Sequence, residues 1–395
     1  MPSTFTWLDH SENARRRALD AIDLYRQPDT RDELGLASIR DGFAGLFSPG
    51  TSTIQTRARY FLMIPWLYQR VELGRSSQPA ATRARSAELD LIAALLAQDD
   101  HRGLIGQHAR RTLKRLPSGV YWQGLNSWGI RPVPVAQDAY HRWIDAGTAT
   151  PADTSEEGDP VHGIWHAGLP VAPEDFPGTA VLALQANEAE YLVERIAQRW
   201  PASLLAWLVQ HGGPVDGFDF PWLHPDLHLM PAPLQHQLHQ ARLFSEVLHG
   251  AQLLYNLLLA RQAELGEQVE AWEQDIAKWE ARLANRGDAL AAWELDEFWS
   301  TLASTGAAVP RPTRRFCSSW IEHARAGTGS LGVAHDKVSE DLIRVQEAHV
   351  KGRQARLANR SMLEAWGGNS GSTQLSYRWA VTKDYVAEIR EARHA

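Results

Sequence analysis

The 395-residue chain carries 40 basic and 47 acidic side chains, a formal net charge of −7, and 44% hydrophobic residues. That is enough apolar material for one large or two to three ordinary domains, and it leaves no global attraction to nucleic acid, so such binding would depend on local patches. One cysteine, Cys317, excludes an internal disulfide framework and any site of several thiolates, and with no apolar run long enough for a membrane span and no leader-like N-terminus, a cytoplasmic protein with no membrane partner is expected.

Residues 11–26 read as a helix capped by Ser11, with Ala14, Ala18, Ile22 and Tyr25 on one side. The polar stretch QPDTRDELG ends it. Pro49 and Gly50 make a turn, Thr51, Ser52 or Thr53 then caps a helix, and Pro65 predicts a kink or boundary inside the apolar run that follows. SSQPAATRARS has the composition of an exposed linker; helices are expected at 82–98 and 104–116, and GVYWQGLNSWGIRPVP as a glycine-containing loop.

Residues 146–178 are rich in Pro, Gly and acid and lack periodicity, which marks a loop or interdomain linker. Two helical pieces divided at Pro201 span 186–210, the longest helical tract spans 232–300, another helix spans 334–360, and the loop GGNSGSTQ leads to a last helix. Strand signals are few, Val181 to Leu184 being one. The expectation is a mainly α, multi-helix globular protein with few short strands: an N-terminal helical domain at 1–145, a linker at 146–180 and a C-terminal helical domain at 181–395. The sixteen Trp residues are expected chiefly in the core.

Several segments can carry chemistry. A helix start near Thr51, Ser52 and Thr53 would offer free amides and a positive dipole end to an anion, with Gln55, Arg57, Arg59 and Tyr60 following, Arg57 and Arg59 on different flanks. The P-loop glycine spacing and lysine are missing, so triphosphate hydrolysis is not supported. Asp32, Glu33 and Asp41 precede that turn; Glu33 or Asp41 is the candidate general base or stabiliser of a cationic sugar, against the ordinary reading of capping or hydrated acids.

A second segment places Gly103 and Gly106 before a basic stretch with Arg110, Arg111, Lys114 and Arg115, suited to a DNA backbone. Tyr121 and Trp122 could stack on a displaced base or seal the domain. His224, His228, His236 and His239 are interrupted by Pro225, Pro231 and Pro233, so no metal site is expected. Cys317 has basic neighbours that could lower its pKa, although a structural thiol is the simpler reading. KGRQARLANR and SYRW form another basic and aromatic patch, or a solvated face.

The segments DELG at 32–35, PGTSTIQTRARYFLMIPW at 49–66, YW at 121–122, ARLFSEVLHGAQLLYNL at 241–257, KGRQARL and LSYRW together resemble an uncharacterised bacterial family, carried as a domain of unknown function and found in phage-defence gene clusters. That family is in turn similar to a phage-restricting DNA glycosylase that excises glucosylated hydroxymethylcytosine and leaves abasic sites. The resemblance implies a protein that acts on double-stranded phage DNA with a flipped, modified base, without cofactor or metal. The competing expectation is a non-catalytic DNA-binding or scaffold subunit working with neighbouring defence proteins.

Overall fold

The computed structural model describes residues 32–74, 76–147, 161–327 and 332–395. Helices dominate, and among the described residues the β structure is one two-residue antiparallel pair, Val161–His162 with Trp165–His166. The chain is therefore mainly α, in keeping with its lack of alternating β-branched runs. Val181 to Leu184 forms no strand. The expected helix at 11–26 lies outside the described residues, as do residues 148–160 of the expected linker. No described helix is long and apolar enough to cross a membrane.

The described residues form two compact units, each from separated stretches of chain: one from those within 32–43 and 236–375, the other from those within 44–235 and 376–395. Asp32, in the first unit, starts helix α1, Ala37–Phe47, whose residues 37–43 belong to that unit, by accepting the Leu36 amide at 2.6 Å and the Ala37 amide at 2.8 Å, satisfying donors that a helix start leaves open. The 31-residue helix Ala232–Gln262 supplies the unit's core: Leu238, Ala241, Phe244, Val247, Leu248, Ala251, Leu254, Tyr255 and Leu258 are all buried.

Indole groups tie neighbouring helices to that core. Trp320 on helix Arg311–Ala326 donates to the Val247 carbonyl at 3.0 Å, and Trp279 on helix Gly266–Ala284 donates to the Glu246 carbonyl at 2.7 Å. The Trp279 ring lies so close to the Gly250 backbone that a Cβ there would collide with it, which explains a glycine in mid-helix. Phe298 stacks between Phe43 and Phe244, with centroids at 5.4 and 4.9 Å. The expected helix at 334–360 covers only Lys337–Lys351; Gly352 takes φ +52, and a short 3-10 turn follows.

In the second unit the central element is helix α2, Tyr60–Leu73, in which Tyr60 through Tyr68 are all buried. Pro65 neither ends nor bounds it: the helix runs through. The stretch read as an exposed linker is instead the start of helix Ala80–Leu96, where Ala80 and Ala84 are small enough to be buried against the unit. The expected helix at 104–116 does not form. Gly103 at φ +74 and Gly106 at φ +89 break it into turns and a three-residue 3-10 segment, Arg110–Thr112.

Pro117 begins helix Pro117–Ser127, so Tyr121 and Trp122 sit on a helix rather than a loop. Within the stretch read as a linker, Trp165 and Phe176 are buried. The two pieces divided near Pro201 are helices Ala186–Arg199 and Leu204–His211, and the last helix, Trp379–His394, packs on both.

Candidate nucleic-acid interface

The loop from Ser48 to Arg59 does not cap a helix at Thr51 to Thr53. It closes on itself: the Thr51 hydroxyl donates to the Ser48 carbonyl at 2.6 Å, the Ser52 amide donates to Gln55 Oε1 at 3.0 Å, and Gln55 Nε2 donates to the Gly50 carbonyl at 3.1 Å. Short polar side chains that bond their own backbone in this way compete with helix formation. Thr53 is exposed. Gly50 has φ +78, and a Cβ there would lie 2.6 Å from the Trp128 indole nitrogen. The helix therefore starts only at Tyr60.

The amides just before that start are occupied from within the chain. Tyr121 Oη accepts the Thr56 amide at 2.8 Å and the Arg57 amide at 3.0 Å and donates to the Arg57 carbonyl at 2.9 Å. Ala58 donates to the Glu388 carboxylate at 3.0 Å. Tyr385 joins the group by donating to Gln55 Oε1 at 3.2 Å, and Tyr60 Oη accepts the Ile105 amide at 3.1 Å. Burial pushes the Glu388 carboxyl up to about 7 despite the opposing Arg57 charge.

Both arginines of the loop are paired. Arg57 lies 2.8 Å from Glu388 and 2.9 Å from Asp100, and Arg59, almost fully buried, lies 2.7 Å from Glu188 and donates to the Val181 carbonyl at 2.9 Å. Tyr121 and Trp122 are buried, and Trp122 donates to the Val135 carbonyl at 2.9 Å beneath the Arg131 guanidinium. Thr51, Gln55, Arg57, Tyr60 and Tyr121 are thus brought together, with Glu388 and Tyr385 as members that the sequence reading did not single out.

The basic segment beyond Gly103 and Gly106 differs from that loop. Arg110, Arg111 and Lys114 are exposed, and no carboxylate pairs with them among the described residues. Arg110 takes the left-handed φ of +45, a conformation unusual for a non-glycine residue. The segment is moored to the loop: Thr56 donates to the Gly103 carbonyl at 2.6 Å, and Arg57 donates to the Arg102 carbonyl at 3.0 Å.

Glu33 and Asp41 belong to the first unit. Glu33 is 5% exposed, 3.0 Å from Lys351 Nζ and 2.8 Å from Arg356 Nη1. Burial alone would raise its carboxyl, but Lys351 and Arg356 outweigh this and hold it below its usual value. Tyr255 and Glu347 extend the network, Tyr255 donating to Glu347 at 2.8 Å and Arg356 reaching the Tyr255 oxygen at 3.4 Å. Two cations of the KGRQARL patch are therefore engaged inside the unit. Asp41 is half-exposed and 3.2 Å from Arg40.

Among the described residues, no three His, Cys, Asp or Glu side chains are placed to hold a metal ion. His224 accepts the Asp226 amide at 3.1 Å, and His236 pairs with Glu297 at 3.2 Å. Cys317 is fully buried, and burial pushes its thiol up rather than down, so the basic neighbours in sequence do not activate it.

No curated protein and no solved structure matches the chain. A family of unknown function, DUF6361, matches residues 2–393, and the chain belongs to that family.

Proposed function

For this member of the family we propose a DNA-binding function, in which Arg110, Arg111 and Lys114 on the turn segment after Gly103 and Gly106 contact the phosphate backbone. The observation that carries the reading is the contrast in pairing: Arg57 and Arg59 are neutralised by carboxylates, whereas these three cations stand exposed without an acidic partner among the described residues. Cations that are solvated and unpaired in the free protein can release counterions from DNA without first breaking an internal ion pair. In this reading the protein is a binding or scaffold subunit that acts with neighbouring defence proteins.

A narrower reading, a phage-defence glycosylase that excises a flipped, glucosylated hydroxymethylcytosine-type base, has one specific support. Glu388, with a carboxyl near neutrality beside Arg57, has the protonation behaviour of a general acid or base. Glu33, held ionised between two cations, is better suited to charge pairing.

Incubating the protein with glucosylated and unmodified duplexes separates these readings. Retention of both duplexes with no abasic sites supports the binding subunit. Abasic sites on the modified duplex that disappear in Glu388→Gln support the glycosylase. Failure to retain either duplex, with no abasic sites formed on the modified one, refutes both.

A further inference from the structure

Helix Ala80–Leu96 buries Ala84, Glu88, Leu91, Ile92 and Leu95 and leaves Arg85 exposed. The segment that carries Arg110, Arg111 and Lys114 lies against this helix. Gly106, at φ +89, makes the approach possible: a Cβ there would lie 3.0 Å from Leu113 and 3.1 Å from Ile92, so a glycine fits both the close contact and the backbone angle. The segment is also pinned to itself. The Arg110 amide donates to the Gly106 carbonyl at 2.7 Å, and the Thr112 hydroxyl donates to the Ala109 carbonyl at 2.7 Å.

Arg85 braces the far end of that segment. Its Nη2 donates to the Leu113 carbonyl at 3.1 Å and lies 3.5 Å from the Arg111 carbonyl, two acceptors at the end of the short 3-10 turn. These contacts place the guanidinium beside the backbone from which Arg111 and Lys114 project, yet they occupy one of its three nitrogens. Nε and Nη1, with three N–H donors between them, make no hydrogen bond among the described residues. No carboxylate pairs with Arg85 among those residues either. Glu88, one turn further along the helix, faces inward: its carboxylate accepts the Ser118 amide at 2.8 Å and the Ser118 hydroxyl at 2.7 Å, and the side chain is fully buried.

We propose that Arg85 is a fourth phosphate-contacting residue of the DNA surface, bracing the turn segment through Nη2 and offering Nε and Nη1 to the backbone of a duplex. This rests on the DNA reading at Arg110, Arg111 and Lys114 and extends that surface onto helix Ala80–Leu96. A guanidinium held by one nitrogen is oriented before the DNA arrives, so less side-chain freedom is lost on contact. Having no ion pair to break, it releases counterions from the duplex as the other three cations do.

The test is fluorescence anisotropy of a labelled duplex with the full-length protein at salt concentrations between about 50 and 200 mM. Arg85→Gln keeps an N–H donor for the two carbonyls but removes the charge, and its slope of log affinity against log salt is expected to be shallower than the parent's by about 0.9. Arg85→Lys keeps the charge and is expected to hold the parent's slope. Lys278→Gln removes an exposed cation of the first unit and is expected to leave the slope unchanged, which controls for net charge. The parent's slope in Arg85→Gln overturns the proposal, and so does an equal fall in Lys278→Gln. A fall in Arg85→Lys as large as in Arg85→Gln also overturns it, since Arg85 would then act as a brace alone. A shallower slope on changing Arg110, Arg111 and Lys114 to alanine, together with the parent's slope in Arg85→Gln, sinks this inference and leaves the DNA reading standing; no duplex binding by the parent overturns both.

Discussion

Glu388 accepts the Ala58 amide on one carboxylate oxygen at 3.0 Å while its other oxygen lies 2.8 Å from Arg57 Nε. A side chain from the last helix thereby occupies the position that an external anion would take at the start of helix α2. Glu388→Gln keeps an acceptor for the amide but removes the charge facing Arg57, which retains Asp100. The expected cost is about 1–3 kcal/mol, read as a lower urea midpoint with unchanged slope.

Three carboxyls of the second unit, Glu88 fully buried and Glu72 and Glu388 partly buried, respond to pH in the same sense. Burial raises Glu72, Glu88 and Glu388 to about 7 each, above an unfolded value of 4.5. The folded state then holds more protons than the unfolded state between those values. Their contribution is fully present below pH 4.5 and is lost as pH rises through about 7. Urea midpoints followed from pH 5 to pH 8 should fall, and Glu88→Gln should reduce the fall. A midpoint change identical in Glu88→Gln and the parent would contradict this assignment for Glu88.

His249, in the first unit, responds in the opposite sense. Burial lowers it to about 4 from 6.5, so the stability it contributes is present above pH 6.5 and is lost as pH falls toward 4. Nuclear magnetic resonance titration of its ring protons should show no protonation at pH 6, whereas an exposed histidine would be more than half charged there.

Glu33 should behave as a structural residue of its unit. Glu33→Gln leaves Lys351 and Arg356 facing a neutral amide in a buried setting, and a loss of about 3–5 kcal/mol is expected from comparable buried pairs. Any activity measured for this variant must therefore be expressed per folded molecule. An unfolding midpoint equal to that of the parent protein would show that the network contributes nothing to stability.

Gly250→Ala tests two opposing effects. Alanine gains about 1 kcal/mol in helix propensity, but its Cβ collides with the Trp279 ring. Overpacking of about 1–3 kcal/mol should win, giving a less stable protein by calorimetry. A stabilised Gly250→Ala would mean that the Trp279 ring moves aside freely.

The helical class was legible because long apolar runs such as Leu253 to Ala260 need no partner strand, and the Pro201 break was visible as a helix interruption. What escaped was set by distant partners. Thr51 to Thr53 have the composition of a helix cap, yet Gln55 and the Ser48 carbonyl take the relevant hydrogen bonds. Arg57 and Arg59 look solvated in the sequence, but their carboxylates come from Glu388 and Glu188, far away along the chain. Ala80 and Ala84 look like linker residues by composition, although small side chains allow a helix to be buried. Among the proposed DNA contacts, Arg110 and Arg111 remain exposed.

The proposed backbone contact is tested most directly by the salt dependence of duplex binding. Fluorescence anisotropy of a labelled duplex between about 50 and 200 mM salt gives the slope of log affinity against log salt, which changes by about 0.9 for each phosphate contact. For the triple variant Arg110→Ala, Arg111→Ala, Lys114→Ala, the proposed contact predicts weaker binding and a slope shallower by about 2–3. Binding of the triple variant with the parent's affinity and slope would contradict it.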